Sequence, residues 1–275
     1  TEMNKIIYIL LSVLLLGLTS CEPRHKQDVL ILYPNWAEGI AITYLAKVML
    51  EDKGYTVTLK RIEPGPIYTA LSRGDADIYM DAWLPHTQKD YWAKYGHKLD
   101  VLGTVFDDGI TGLVVPAYVN IESIEELNEN KDKFDKKIYG IASGAGIHAN
   151  TEKAITAYNL DYSQISSSET SMITALKKAE KNKEWIVITG WKPHFMWTEF
   201  ELKKLSDPKG IYPTDNIQVI SRRGFKEDKP EIAAFFESFK LEDKLLHELI
   251  IDVSMDKNPE IGAKVFFEKH RTFLY

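Results

Sequence analysis

The chain has 275 residues, 44% hydrophobic and 27% charged, with 34 Lys and Arg against 40 Asp and Glu and a single cysteine. That length holds two cored domains or one large α/β unit, and one cysteine allows neither an intramolecular disulfide nor a thiolate metal cluster. A net charge of -6 with the basic residues dispersed among acids offers nucleic acid no field to bind.

After Met3 and a basic start at Lys5, residues 6–18 form an apolar run. It is shorter than the about 20 apolar residues a bilayer core needs, but fits the roughly 7–15 of a secretory signal. The only cysteine falls where the run stops. Leu18-Thr19-Ser20-Cys21 resembles the lipobox of bacterial lipoproteins, in which the cysteine is lipidated after cleavage. The resemblance implies a signal peptide over 1–20, a lipid on Cys21, a polar tether over 21–28 and a folded part outside the cytoplasm, tied to a membrane. The other reading of Cys21 is a buried structural thiol.

Residues 29–33 read as a buried strand. Ile42, Leu45, Ala46, Met49 and Leu50 then recur at helical spacing, with Gly54 as the stop. Residues 55–60 alternate apolar with polar as a second strand, residues 66–73 with Gly74 form a short helix, and residues 78–80 a third strand. Strands alternating with helices predict right-handed crossovers and a doubly wound sheet in this first lobe. Residues 113–116 carry the chain out of it, and a polar stretch follows to Lys137. A second α/β series comprises strand 138–142, helices within 151–158 and 172–181, and strand 185–189. Residues 217–221 read as the returning strand. Helices over 230–239, 242–253 and 259–270 close the chain, with Leu245, Leu249 and Val253 at i, i+4 and i+8, and should pack back on the first lobe. The expected fold is therefore α/β and two-lobed, like periplasmic binding proteins, each lobe a sheet flanked by helices. Lobe 1 takes 29–113 plus 217–275 and lobe 2 takes 114–216, with crossovers near 113–116 and 214–218.

Enzyme templates find no support. There is no His-Glu-x-x-His, no Cys-x-x-Cys and no Gly-x-Ser-x-Gly, and the seven histidines are scattered. No cofactor or metal is expected. One motif does fit a template: Gly144-Ala145-Gly146-Ile147-His148-Ala149 follows a predicted strand and precedes a predicted helix, as a dinucleotide fingerprint does. The same turn presents free N–H groups and a positive dipole end to any anion, including a small carboxylate, and it can also be plain turn chemistry.

Six tryptophans occur, and three of them, Trp36, Trp83 and Trp191, lie just after predicted strands, where open α/β sheets bind ligands. Converging indole faces attract a soft cation, quaternary ammonium above all. Trp92, Trp185 and Trp197 are assigned to the core.

Asn-Trp-Ala-Glu-Gly-Ile-Ala, Asp-Ala-Trp-Leu-Pro, Gly-Ala-Gly-Ile and Ile-Thr-Gly-Trp-Lys-Pro-His are similar to segments of the substrate-binding proteins of osmoprotectant ABC importers. The resemblance covers the chain from about residue 28 onward. It implies two lobes closing over glycine betaine, with Trp36, Trp83 and Trp191 as the cage for the trimethylammonium and the amides of Gly146 and Ile147 as carboxylate donors. It also implies delivery to a permease served by a cytoplasmic ATPase, so this chain needs no ATP site. The family's carboxylate-binding histidine, five residues after the tryptophan of Trp-Leu-Pro, is Gln88 here. His86 and His148 are the other side-chain candidates. Carnitine, proline betaine, dimethylsulfoniopropionate and choline remain alternative ligands, choline lacking a carboxylate for the Gly146 turn. An extracytoplasmic enzyme acting on a quaternary amine and a sensory lipoprotein are the alternatives of other classes.

Overall fold

The fold is known from a computed structural model that describes residues 28–274. Strand β1 (Asp28–Tyr33) lies between β2 (Thr56–Arg61) and β3 (Ile78–Leu84) and runs parallel to both. The crossovers are helices α1 (Ala37–Asp52) and α2 (Pro64–Arg73), as the periodicity predicts. Helix α1 buries Ile42, Leu45, Ala46, Met49 and Leu50, the stripe read from the sequence, and Ala41 beside them. Gly74 closes α2 in the left-handed region, φ 78°, where a side chain would be strained.

A short helix α3 (Lys89–Tyr95) precedes β4 (Leu99–Pro116), an 18-residue strand of which the sequence reading recognised only the last four. Gly103, Gly109, Gly112 and the Asp107-Asp108 pair hide it, because they interrupt apolar alternation. The strand keeps its pairing by shifting register at three points against β9 (Asp215–Arg222). Up to Gly109 it pairs with β9; from Ile110 it pairs with β7 (Val187–Lys192). The second series is β5 (Lys137–Gly140), α4 (Gly146–Ala157), β6 (Ser163–Ser166), α5 (Glu169–Asn182) and β7, with β5 parallel to both β6 and β7. After a helical turn α6 (Met196–Glu199), β8 (Leu202–Lys204) pairs with the end of β4.

The strand order is β2-β1-β3-β9-β4-β7-β5-β6. The parallel β2-β1-β3 series of the first lobe is as expected, and the returning strand β9 adds to it antiparallel to both β3 and β4. The strand that carries the chain out of one sheet and the strand that brings it back must run opposite ways, so they pair antiparallel. The last helices are α7 (Phe225–Asp228), α8 (Pro230–Ser238), α9 (Asp243–Met255) and α10 (Pro259–Leu274). Helices α9 and α10 pack on α1, and α8 packs on β4, as expected for closing helices.

The core runs continuously through both halves, from Val29, Ile42 and Leu45 through Leu113, Val114 and Val115 to Ile138, Leu176 and Ile188, all essentially inaccessible. Arg222 anchors the first sheet from below: its Nε donates to the buried Asp77 Oδ1 at 2.8 Å, while Asp77 Oδ2 accepts from Leu30 N at 2.9 Å. Residues 1–27, including the apolar run and Cys21, lie outside the described residues. Among the described residues no helix is long and apolar enough to cross a membrane.

Candidate ligand-binding site

Three strand ends converge on one cavity. Trp36 is the N-cap residue of α1, three residues past the end of β1, Trp83 is the penultimate residue of β3, and Trp191 lies near the end of β7. The sequence reading placed Trp83 and Trp191 beyond their strands. Pairing of Trp83 with Ile217 and of Trp191 with Thr111 extends the strands through them. The indoles line one small, tightly closed cavity together with Glu38, Thr87, Gln88, Thr111, Ile141, Ala145, Gly146 and Ile147. All three are nearly inaccessible, at 8%, 3% and 3% exposure, so the site is shut from solvent. Trp92, Trp185 and Trp197 lie elsewhere, partly buried against the core.

The glycine-rich turn opens α4. Its first helical residues are Gly146 and Ile147, whose N–H groups precede any intrahelical partner and face the cavity end of a twelve-residue helix dipole. A Cβ on Gly146 would stand 2.1 Å from the carbonyl oxygen of Thr87, a backbone atom of the facing lobe. Only a bare Cα permits that approach. Thr87 is held in turn by Asp215, the buried first residue of β9, whose two carboxylate oxygens accept from His86 N at 2.6 Å and Thr87 N at 2.8 Å.

Gln88 lines the cavity, yet its amide is committed to the interior of lobe 1. Its Nε2 donates to Tyr79 Oη at 3.0 Å and reaches Asp81 O at 3.4 Å, and its Oε1 accepts from Tyr68 Oη at 2.8 Å. Both amide hydrogens are thereby used. His86 is exposed and His148 lines an outer groove beside Glu152 and Lys153; neither is among the cavity-lining residues. The hydroxyls of Thr87 and Thr111, by contrast, are buried at the cavity wall without a hydrogen-bond partner. Sequence reasoning missed both, because an isolated threonine carries no spacing signal.

It also missed the carboxylates around the start of α1. Trp191 Nε1 donates to Glu38 Oε2 at 2.8 Å, and Trp83 Nε1 donates to Asp81 Oδ1 at 2.9 Å. Glu169, the first residue of α5, accepts from Ala37 N at 3.0 Å and so caps α1 from the other lobe. Its other oxygen lies 3.3 Å from His194 Nε2, close enough to pair but not aligned as a hydrogen bond. Burial, then the neighbouring Asp81 and Glu169 charges, push the Glu38 carboxyl well above its ordinary range; burial does the same to Asp81. Contacts that join the lobes at the cavity include Trp191 to Glu38, Ala37 to Glu169, and Tyr91 Oη to Gly144 O at 2.8 Å.

Among the described residues no group of His, Cys, Asp or Glu could hold a metal ion. The sheet order, strand β4 running through both sheets, and a closed cleft lined by three tryptophans define a two-lobed α/β substrate-binding protein. Residues 27–269 match the family described as the substrate-binding domain of the ABC-type glycine betaine transport system, and the chain belongs to that family. The lactococcal OpuAC crystal structure, closed and complexed with glycine betaine, superposes with a TM-score of 0.86 at 34% identity, covering 90% of this chain and 98% of that one. The glycine betaine/L-proline-binding protein ProX of Borrelia burgdorferi gives a TM-score of 0.86 at 32% identity, covering 90% and 95%. The glycine betaine/carnitine transport binding protein GbuC of Listeria monocytogenes is 38% identical over 143 residues, 50% of this chain. That match spans about half of the curated relative, 48% of its length.

Proposed function

We propose that this chain captures a quaternary ammonium zwitterion, glycine betaine first, outside the cytoplasm and hands it to the permease of an ABC importer. The observation that carries the reading is one cavity lined by three tryptophans and by the first two residues of a helix. Indole faces attract the trimethylammonium, by roughly 0.5–2 kcal/mol each depending on desolvation. The Gly146 and Ile147 amides at the dipole end receive the carboxylate. The unpartnered hydroxyls of Thr87 and Thr111 supply the side-chain donors in place of Gln88.

Ligand contacts come from both lobes, so occupancy favours the closed state by the free energy of those contacts. The lobes are 29–113 with 217–275 and 114–216, hinged where β4 passes between sheets and where β9 begins. Small-angle scattering should show compaction on adding glycine betaine, and an unchanged profile at saturation counts against closure. Cys21 anchors the mature chain by lipid, the apolar run 6–18 serving as the signal; Cys21→Ala should leave the membrane fraction or stay unprocessed. Carnitine and proline betaine share both recognised groups and should bind, whereas choline, with no carboxylate, should bind weakly. Calorimetric titration with these compounds and dimethylsulfoniopropionate decides the ranking. No heat with any of them would sink the reading. Ligand recovered after incubation should be unchanged by mass; a changed mass would favour an enzyme acting on the quaternary amine.

A further inference from the structure

Glu38 is the one carboxylate among the cavity-lining residues, and none of those residues is a lysine or arginine. It is 1% exposed. The groups that face it are Asp81 from β3, Glu169 from α5 and the Trp191 indole N–H from β7, and behind Asp81 stand the hydroxyls of Tyr68 and Tyr79. Asp81 is itself fully buried, and its Oδ2 has no hydrogen-bond partner. That oxygen would lie 2.6 Å from a Cβ on Gly39, so the residue following Glu38 must be bare for Asp81 to reach this place. No lysine or arginine therefore compensates Glu38 in the cavity wall, and the nearest basic group, the buried His194, lies against Trp191 and 3.3 Å from Glu169 Oε1.

The contact that seals Glu38 comes from across the cleft, from Trp191. In the closed structure that contact helps to bury the carboxylate, and separating the lobes would break it. An ionised carboxylate buried without a counter-charge is strongly disfavoured and either takes a proton or resists burial. Glu38 lines the same cavity as the three tryptophans, so a quaternary ammonium held there would supply that counter-charge. We propose that Glu38 makes capture conditional on positive charge: the lobes close over a cation, whereas a neutral ligand of the same shape is enclosed only if Glu38 first takes up a proton from solvent. Glu38 acts in this way only in a cavity that takes a quaternary ammonium, the reading proposed above, and it then reads charge where the indoles also read shape.

The test compares glycine betaine with 3,3-dimethylbutanoate, in which carbon replaces the ammonium nitrogen and the shape and carboxylate are kept, on the parent and on Glu38→Gln. The glutamine oxygen still accepts the Trp191 hydrogen bond, so the substitution removes charge and leaves the latch. Betaine affinity should fall at least about tenfold in Glu38→Gln, with no matching loss for the isostere. In the parent, isostere affinity should rise as pH is lowered from about 8 to 6, approaching tenfold per unit, while betaine affinity stays level. In Glu38→Gln the isostere profile should be flat. Equal losses for both ligands, which a merely structural role would produce, overturn the proposal, and so does unchanged betaine affinity in Glu38→Gln. A pH-independent isostere affinity in the parent overturns it without any variant having to fold. Absence of betaine binding to the parent is a separate outcome, which removes the quaternary-ammonium reading itself.

Discussion

Gly146→Ala tests whether the closed cleft is the binding state. The new Cβ would stand 2.1 Å from Thr87 O and 2.7 Å from Thr87 C, both backbone atoms, where ordinary contact begins near 3.4 Å. One lobe must therefore withdraw by roughly 1.3 Å at this point, the difference between those distances. Thr87 cannot yield alone, because Asp215 holds both its amide and that of His86. A displacement of that size breaks the bonds from Trp191 to Glu38, from Ala37 to Glu169 and from Tyr91 to Gly144. At about 0.5–1.5 kcal/mol each, their loss weakens binding by about 2–4 kcal/mol, or roughly 30- to 1000-fold. The helix itself gains, since alanine replaces glycine in its first turn without a positive φ, so the ligand-free melting temperature should stay level or rise slightly. Calorimetric titration with glycine betaine, alongside ligand-free thermal melts, separates the two effects. Parent-like affinity in a well-folded Gly146→Ala protein would refute closure of the lobes at this contact.

Other expectations concern single side chains. Replacing Trp36, Trp83 or Trp191 by Leu keeps apolar bulk but removes the ring quadrupole, so each should weaken betaine binding by about 1–2 kcal/mol, while Trp92→Leu leaves affinity nearly intact; silent cage variants beside a crippled Trp92→Leu would reverse the assignment. Gln88→Ala strands the buried hydroxyls of Tyr68 and Tyr79, so it should lower stability by about 2–3 kcal/mol in denaturant titrations, yet change betaine affinity of the folded protein less than about tenfold. Asp81 is held above its ordinary range by burial, so the folded protein keeps a proton that the unfolded chain loses near pH 4. Its contribution to ligand-free stability is thus fully present below about pH 4 and is lost as pH rises through the raised value. Melting temperatures between about pH 5 and 8 should decline with pH in the parent and decline less in Asp81→Asn, which retains an acceptor for Trp83; a steeper decline in the variant contradicts the sign.

Much of this protein is legible without coordinates, because its signals are local. Helix α1 shows its buried stripe at helical spacing, the Gly144-to-Ala149 turn shows the start of α4, and three tryptophans at strand ends mark the cavity. Each depends on residues within a few positions of one another, so periodicity and turn chemistry reveal them. Strand β4 escaped because its glycines and aspartates mimic a loop, and long-range pairing with β9 and β7 holds it extended despite them. The carboxylate partner shows the same limit more sharply. Spacing from Trp83 points to Gln88, but whether its amide faces ligand or interior depends on Tyr68 and Tyr79, brought beside it by α2 and β3. Glu38 reads in sequence as an ordinary acid in the first turn of a helix. Only the fold sets it against Trp191, 153 residues away, and only packing removes the water that would otherwise make its charge unimportant.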